Sequence, residues 1–210
     1  MLTLYGSRGS GSAAVEAAIE LIGLPWQAVD AATWEPESAL DELRRVNPLG
    51  QIPTLVLDDG TVLTESAACL IHLGLTHPQS GLLPSEPSRR AAAIRGLVFI
   101  AANCYAAIGV IDYPERWAAP ASAEVVAAIG AGTRTRLHAL WDAFADQFPS
   151  DPWLGGEQLG ALDVMAAVVS RWSGARAHVA QSRPGFHAVL TRIDTHPKLA
   201  PVFARHWPTT

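Results

Sequence analysis

Apolar and polar positions alternate over short runs at the start of the chain and recur at helical spacing almost everywhere after residue 80, so the period itself divides the sequence. Residues 2–5 read as a strand. A helix follows from about residue 13, with Ala14, Ala17, Ala18, Leu21 and Ile22 on one face and Gly23, Leu24 and Pro25 as its stop. Residues 26–29 read as a second strand and 37–46 as a helix carrying Leu40, Leu43 and Val46, broken by Asn47-Pro48-Leu49-Gly50. The runs 54–57 and 61–63 flank Asp58-Asp59-Gly60 and predict an antiparallel hairpin. A helix over 65–75 closes this half, giving the order βαβ, α, ββα. Pro, Ser and Gly dominate 78–88, which reads as a linker. Beyond it the spacing predicts helices over 88–112, 122–147, 161–173, 184–194 and 197–206, with Gly130 and Gly132 weakening the middle of the second, where the helix has room to kink or break. The fold class that follows is an α/β domain with a mixed sheet over 1–78, a linker over 79–88, and an all-α domain over 89–210.

The first strand-to-helix turn carries Gly9-Ser10-Gly11-Ser12-Ala13-Ala14, which matches a dinucleotide-binding GxGxxA fingerprint, with Asp30 where a ribose-binding acid would stand. That reading requires further βα units, and strand-like sequence stops near residue 63. No nucleotide is expected.

Composition removes other classes. The chain has 210 residues, 49% hydrophobic and 17% charged, an ordinary globular balance. Its net charge of −5 and scattered arginines argue against a nucleic-acid partner. Two cysteines, Cys69 and Cys104, make neither a disulfide scaffold nor a zinc site, and the seven histidines lack ligand spacing, so no metal is expected. Met1 leads directly into strand-like sequence with no signal-peptide pattern, and the apolar run 96–111 contains Asn103 and Tyr105, which reads as a core helix. These features predict a cytoplasmic protein with no membrane partner.

The segment Asn47-Pro-Leu-Gly-Gln-Ile-Pro-Thr-Leu55, then Asp58-Asp59-Gly60, then Leu63-Thr64-Glu65-Ser66-Ala67 resembles the N-terminal domain of the cytosolic-type glutathione transferases, which is thioredoxin-like. The two-part layout is similar to that superfamily over the whole chain. Gly160-Ala-Leu-Asp163 also matches a family motif, except that Gly160 stands where Ser or Thr is usual. The resemblance implies that Ile52–Pro53 is a cis bond and that the backbone of Ile52 pairs with the cysteine of glutathione. Glu65 and Ser66 open a helix, where free N–H groups favour an anion. Ser66 is implied to bind the γ-glutamyl carboxylate, Glu65 to receive the ammonium group, and Gln51 to assist.

Such an enzyme keeps the glutathione thiol ionised, since the thiolate is the nucleophile. Ser7, Ser10 and Ser12 are eligible hydrogen-bond donors, taken in the order Ser10, Ser7, Ser12, with helix capping the alternative role of Ser12. Ser10 falls where beta-class enzymes carry a cysteine. With no cysteine in this loop, mixed-disulfide chemistry is not expected. A small hydrophobic electrophile is expected between the domains near Asn103, Tyr105, Tyr113, Arg116 and Trp117. The resemblance further implies glutathione as co-substrate and a two-fold homodimer. A non-catalytic glutathione-binding protein of this fold, or a glutathione-dependent isomerase or lyase, is the alternative.

Overall fold

A computed structural model describes residues 1–148 and 152–208. Strand β1 (Leu2–Gly6) leads into helix α1 (Ser12–Ile22), then β2 (Trp26–Asp30), α2 (Leu40–Val46), β3 (Thr54–Val56), β4 (Val62–Thr64) and α3 (Ser66–Thr76). The sheet order is β2-β1-β3-β4. β1 and β2 are parallel, as a strand–helix–strand crossover demands, whereas β3 runs antiparallel to both β1 and β4. This is the thioredoxin-like mixed sheet. Tyr5 pairs with Thr54 and Thr54 with Thr64, so Gly6, Pro53 and Glu65 stand together one residue beyond that row. The register brings three distant sequence segments to one end of the sheet.

The helical half comprises α4 (Pro87–Phe99), a π-helical stretch (Ile100–Tyr105), α5 (Ala106–Asp112), α6 (Ala123–Gln147), α7 (Ala161–Val169), α8 (Ala175–Ser182), α9 (Pro184–Asp194) and α10 (Ala200–His206). One continuous core joins α1 and α3 to α7 and α10, with every residue of α7 buried. The segment Pro87–Asp112 is long and apolar enough to cross a membrane by length and composition. Here it turns Leu97, Ile100, Cys104, Ala107 and Ile108 into that core.

Three expectations need correction. α6 runs unbroken through Gly130 and Gly132, whose Cα positions face open space. Their propensity cost is spread over a helix of 25 residues that packing holds at its far end through Leu137, Trp141 and Phe144. The helix expected over 161–173 ends at Val169, and Ser173 and Gly174 turn the chain into α8 at φ of 56° and 78°. That helix was missed because its buried residues are only Ala175 and Val179. Polar contacts fasten it instead: Arg176 Nε donates to Ser170 Oγ at 2.6 Å and its Nη1 to Asp194 Oδ2 at 2.7 Å. Trp34, whose large apolar side chain in the sequence alone reads as packing rather than function, is 56% exposed.

Gly160 now has a reason. A Cβ there would meet the carbonyl oxygen of Leu82 at 2.8 Å, because Ala161 N–H donates to that same carbonyl at 2.8 Å. A serine at this place would force the linker away from α7. Gly160→Ser is therefore expected to lower stability by about 1–3 kcal/mol, the cost of overpacking, in a chemical-denaturation measurement.

Candidate functional site

Ser7, Ser10 and Ser12 lie on the connection from β1 to α1, and their hydroxyls have different fates. Ser10 Oγ donates to the Ser7 carbonyl at 2.8 Å and lies 2.7 Å from Ser12 Oγ, which is itself 3.1 Å from that carbonyl. Ser10 Oγ accepts the Ser12 N–H and Ser12 Oγ accepts the Ser7 N–H, both at 3.2 Å. Both hydroxyl protons thus have inward acceptors, and both residues are buried. Ser10, ranked first from the sequence, fastens the turn. The Ser7 side chain is half-buried and its hydroxyl makes no hydrogen bond among the described residues.

Two amides of the turn are also occupied. Gly9 N–H donates to His206 Nδ1 at 3.2 Å and Ser10 N–H to the Ser7 carbonyl at 3.3 Å. The phenol oxygen of Tyr105 lies against Gly11, so close that a Cβ on residue 11 would overlap it. Tyr105 closes the π-helical stretch, whose wider turn re-aims the side chains that follow it. Its ring stacks on Trp172 at 5.6 Å between centroids, with planes 18° apart. The phenol proton meets no acceptor among the described residues and is left to give. Burial pushes its pKa up to about 12, and the Gly11 amide opposes that only in part, so at neutral pH it is a donor.

At the same end of the sheet the Ile52–Pro53 bond is cis and Pro53 is buried. The turn before it is fixed by Asn47, whose Nδ2 donates to the Gln51 carbonyl at 3.1 Å and to Thr54 Oγ1 at 3.0 Å, while Thr54 Oγ1 donates to the Gln51 carbonyl at 2.8 Å. The Gln51 side chain is exposed. Glu65 stands at φ 64° and ψ 113°, a conformation that costs a non-glycine residue on the order of 1–3 kcal/mol and is found where the surroundings need it. Its carboxylate is exposed, yet close enough to Tyr105 to help raise the phenol. Ser66 opens α3, is 5% exposed, and its hydroxyl makes no hydrogen bond among the described residues. This end of the sheet therefore offers a helix N-terminus with a free hydroxyl, a cis-proline turn, and the unspent hydroxyl protons of Ser7 and Tyr105. This suits an extended peptidic anion with a second anionic atom near Ser7.

The other expected residues separate. Asn103 Nδ2 bonds back to the Phe99 carbonyl at 3.1 Å. Tyr113, Arg116 and Trp117 form an exposed group, with the Arg116 guanidinium 3.9 Å above the Tyr113 ring, about 10 Å along α5 from Tyr105. Tyr105 itself joins an aromatic cluster with residues the sequence did not single out: Trp172, and Trp207 in T-shaped contact with it at 6.3 Å, with the Arg171 guanidinium 4.3 Å from the Trp207 ring. A cavity of about 230 Å³ lies elsewhere, lined by Leu82, Pro84, Arg89 and Gln158, and contains none of these groups. Burial pushes the thiols of Cys69 and Cys104 up to about 12, so neither is a nucleophile at neutral pH. Among the described residues no group of three His, Cys, Asp or Glu side chains could hold a metal ion.

Comparison with known proteins agrees with this geometry. Residues 12–75 match the family model for the glutathione S-transferase N-terminal domain. The chain is 30% identical over 207 residues to the uncharacterized GST-like protein YncG of Escherichia coli (strain K12), covering 98% of each. It is 29% identical over 163 residues to glutathione S-transferase GstA of Escherichia coli O157:H7, 76% of this chain and 75% of that one. Among solved structures, a glutathione transferase homolog from Sulfitobacter with bound glutathione superposes with a TM-score of 0.83 at 26% identity, covering 96% of both chains.

Proposed function

This chain belongs to the glutathione S-transferase superfamily, and we propose that it binds glutathione in the cleft between β3, α3 and the Ser7 turn and conjugates its thiolate to a hydrophobic electrophile. The observation that carries this reading is the row Gly6, Pro53 and Glu65 at one end of the sheet, which gathers the cis Ile52–Pro53 turn, the free Ser66 hydroxyl and the Ser7 loop.

In this reading the glutathione backbone lies along Ile52 as an added strand, its γ-glutamyl carboxylate meets Ser66 and the first amides of α3, and Glu65 faces the ammonium group. The sulfur lies between Ser7 Oγ and Tyr105 Oη. Each donates to the thiolate and lowers the thiol pKa toward neutrality, so that the sulfur lone pair can attack the electrophile and displace its leaving group. Tyr105, Trp172 and Trp207 supply the aromatic wall for that electrophile. Ser10 shapes the turn, which supports Ser7 over Ser10 as the hydroxyl that meets the sulfur.

A second reading, glutathione binding without turnover, is favoured by the inward-spent protons of Ser10 and Ser12. One experiment separates the two. Calorimetric titration with glutathione is expected to show binding, and a halonitrobenzene conjugation assay is expected to show turnover. Binding without turnover on a panel of electrophiles would leave the second reading. No binding would end both. Ser66→Ala is expected to weaken glutathione binding by roughly tenfold to a hundredfold, the worth of a hydrogen bond to a charged group.

A further inference from the structure

The last helix reaches back to the first turn. His206, near the end of the described chain, lies 197 residues from Gly9 and accepts that residue's N–H on Nδ1 at 3.2 Å. Its Nε2 lies 2.8 Å from Oε2 of Glu16 on α1. An amide N–H can only donate, so Nδ1 must be the unprotonated nitrogen, and the ring proton sits on Nε2, directed at Glu16. The tautomer is fixed by geometry.

Glu16 is the hub beneath this contact. Its Oε1 also accepts from Arg205 Nε at 2.9 Å and from Arg205 Nη2. Burial pushes the Glu16 carboxyl up, and the hydrogen bonds of His206 and Arg205 more than reverse that, so it is held ionised below the ordinary carboxylate range. The His206 side chain is 5% exposed, so the ring is packed as well as bonded. A line of fixed groups thus runs from Arg205 through Glu16 and His206 to the amide of Gly9. Gly9 lies two residues from Ser7 and two from Gly11, the two points at which the turn reaches the proposed sulfur position.

We propose that His206 is a positioning residue of the active site, which fixes the Ser7–Gly11 turn through its Nδ1 so that Ser7 Oγ and the Gly11–Tyr105 pair face the thiol. The inference rests on the reading that this turn meets glutathione, and it assigns part of the catalytic geometry to the far end of the chain. It also separates two roles within one ring. Nδ1 serves the turn, and Nε2 serves the docking of α10 on α1.

Two substitutions split those roles. Asparagine places an acceptor oxygen near the position of Nδ1 and cannot reach Glu16; glutamine places a donor near the position of Nε2 and offers nothing to Gly9. His206→Gln is expected to lower kcat by about tenfold, as for one lost buried hydrogen bond, with less change in the glutathione dissociation constant. It should also speed amide hydrogen exchange at Gly9 by a similar factor. His206→Asn is expected to recover both turnover and Gly9 protection while its melting temperature falls, because the Glu16 contact is gone.

Equal loss in the two variants, or loss that follows melting temperature alone, would overturn the proposal in favour of a purely structural role. The wild-type protein gives a check that needs no variant. Its His206 imidazole should show the Nε2–H tautomer in nitrogen NMR, and a proton on Nδ1 would sink the idea. If wild type fails to bind glutathione, the proposed function falls, while hydrogen exchange and tautomer still judge whether His206 holds the turn.

Discussion

Removing the Ser7 and Tyr105 hydroxyls is expected to cost more activity than removing those of Ser10 and Ser12, although the sequence ranks Ser10 first. A hydrogen bond to a charged group is worth about 1.5–3 kcal/mol, so Ser7→Ala and Tyr105→Phe should each lower kcat/KM by roughly tenfold to a hundredfold at neutral pH. The same energy equals about one to two units in the pKa of the bound thiol, which should rise toward its free value of about 8.5. The sign then follows. The variants lose most below the shifted pKa, where the thiol is protonated, and approach wild type at alkaline pH, where it ionises unaided. Thiolate absorbance of the bound glutathione against pH, run beside the pH–rate profile, measures both.

Ser10→Ala is the discriminating control. Its proton goes to the Ser7 carbonyl, so its loss should lower the melting temperature and loosen the turn with a smaller change in thiol pKa. If instead Ser10→Ala raised that pKa and Ser7→Ala left it alone, the hydroxyl assignment would be reversed. The Tyr105 result is separable because its ring stacks on Trp172, a contact that phenylalanine keeps.

Much of this site was legible because it is local. The turn at Asn47 and Pro53, the hairpin through Gly60 and the helix start at Ser66 lie within about 20 consecutive residues, and the strand register then follows from alternation. The choice among the serines was not legible. Ser7, Ser10 and Ser12 have the same chemistry, and only the three-dimensional turn decides which hydroxyls point at the Ser7 carbonyl. Trp172, Trp207 and His206 were invisible for another reason. Nothing in their neighbourhoods marks them, and the fold alone brings residues 9, 105, 172 and 206 to one place. Helix α8 was hidden because ion pairs from Arg176 hold it where an apolar stripe would otherwise have shown. Gly160 was legible as a departure, and its cause, the Leu82 carbonyl, lies 78 residues earlier in the linker.

Asp163→Ala is expected to lower stability by about 3–5 kcal/mol, or to drop the melting temperature on the order of 10 °C. Asp163 is fully buried at the start of α7, where Oδ1 accepts from Leu154 N–H at 2.8 Å and Oδ2 from Gly160 N–H at 2.9 Å. Alanine would orphan both buried donors in the most deeply packed helix of the core. The same carboxyl sets a pH dependence. Burial pushes its pKa up to about 6, and the surrounding backbone donors, Leu154 and Gly160 first, offset that only in part. The unfolded chain releases this proton near pH 3.9, so between about pH 4 and pH 6 the unfolded state binds fewer protons than the folded one. The contribution is therefore whole below about pH 4 and lost as pH rises through about 6, by on the order of 3 kcal/mol in all. Asp163→Asn removes the titration and one acceptor, so it should flatten this component while costing stability at every pH. Denaturation free energies of both proteins from pH 4 to pH 8 test the sign. A wild-type component that rises over that interval would mean that the amides of Leu154 and Gly160 outweigh burial and hold the carboxylate ionised.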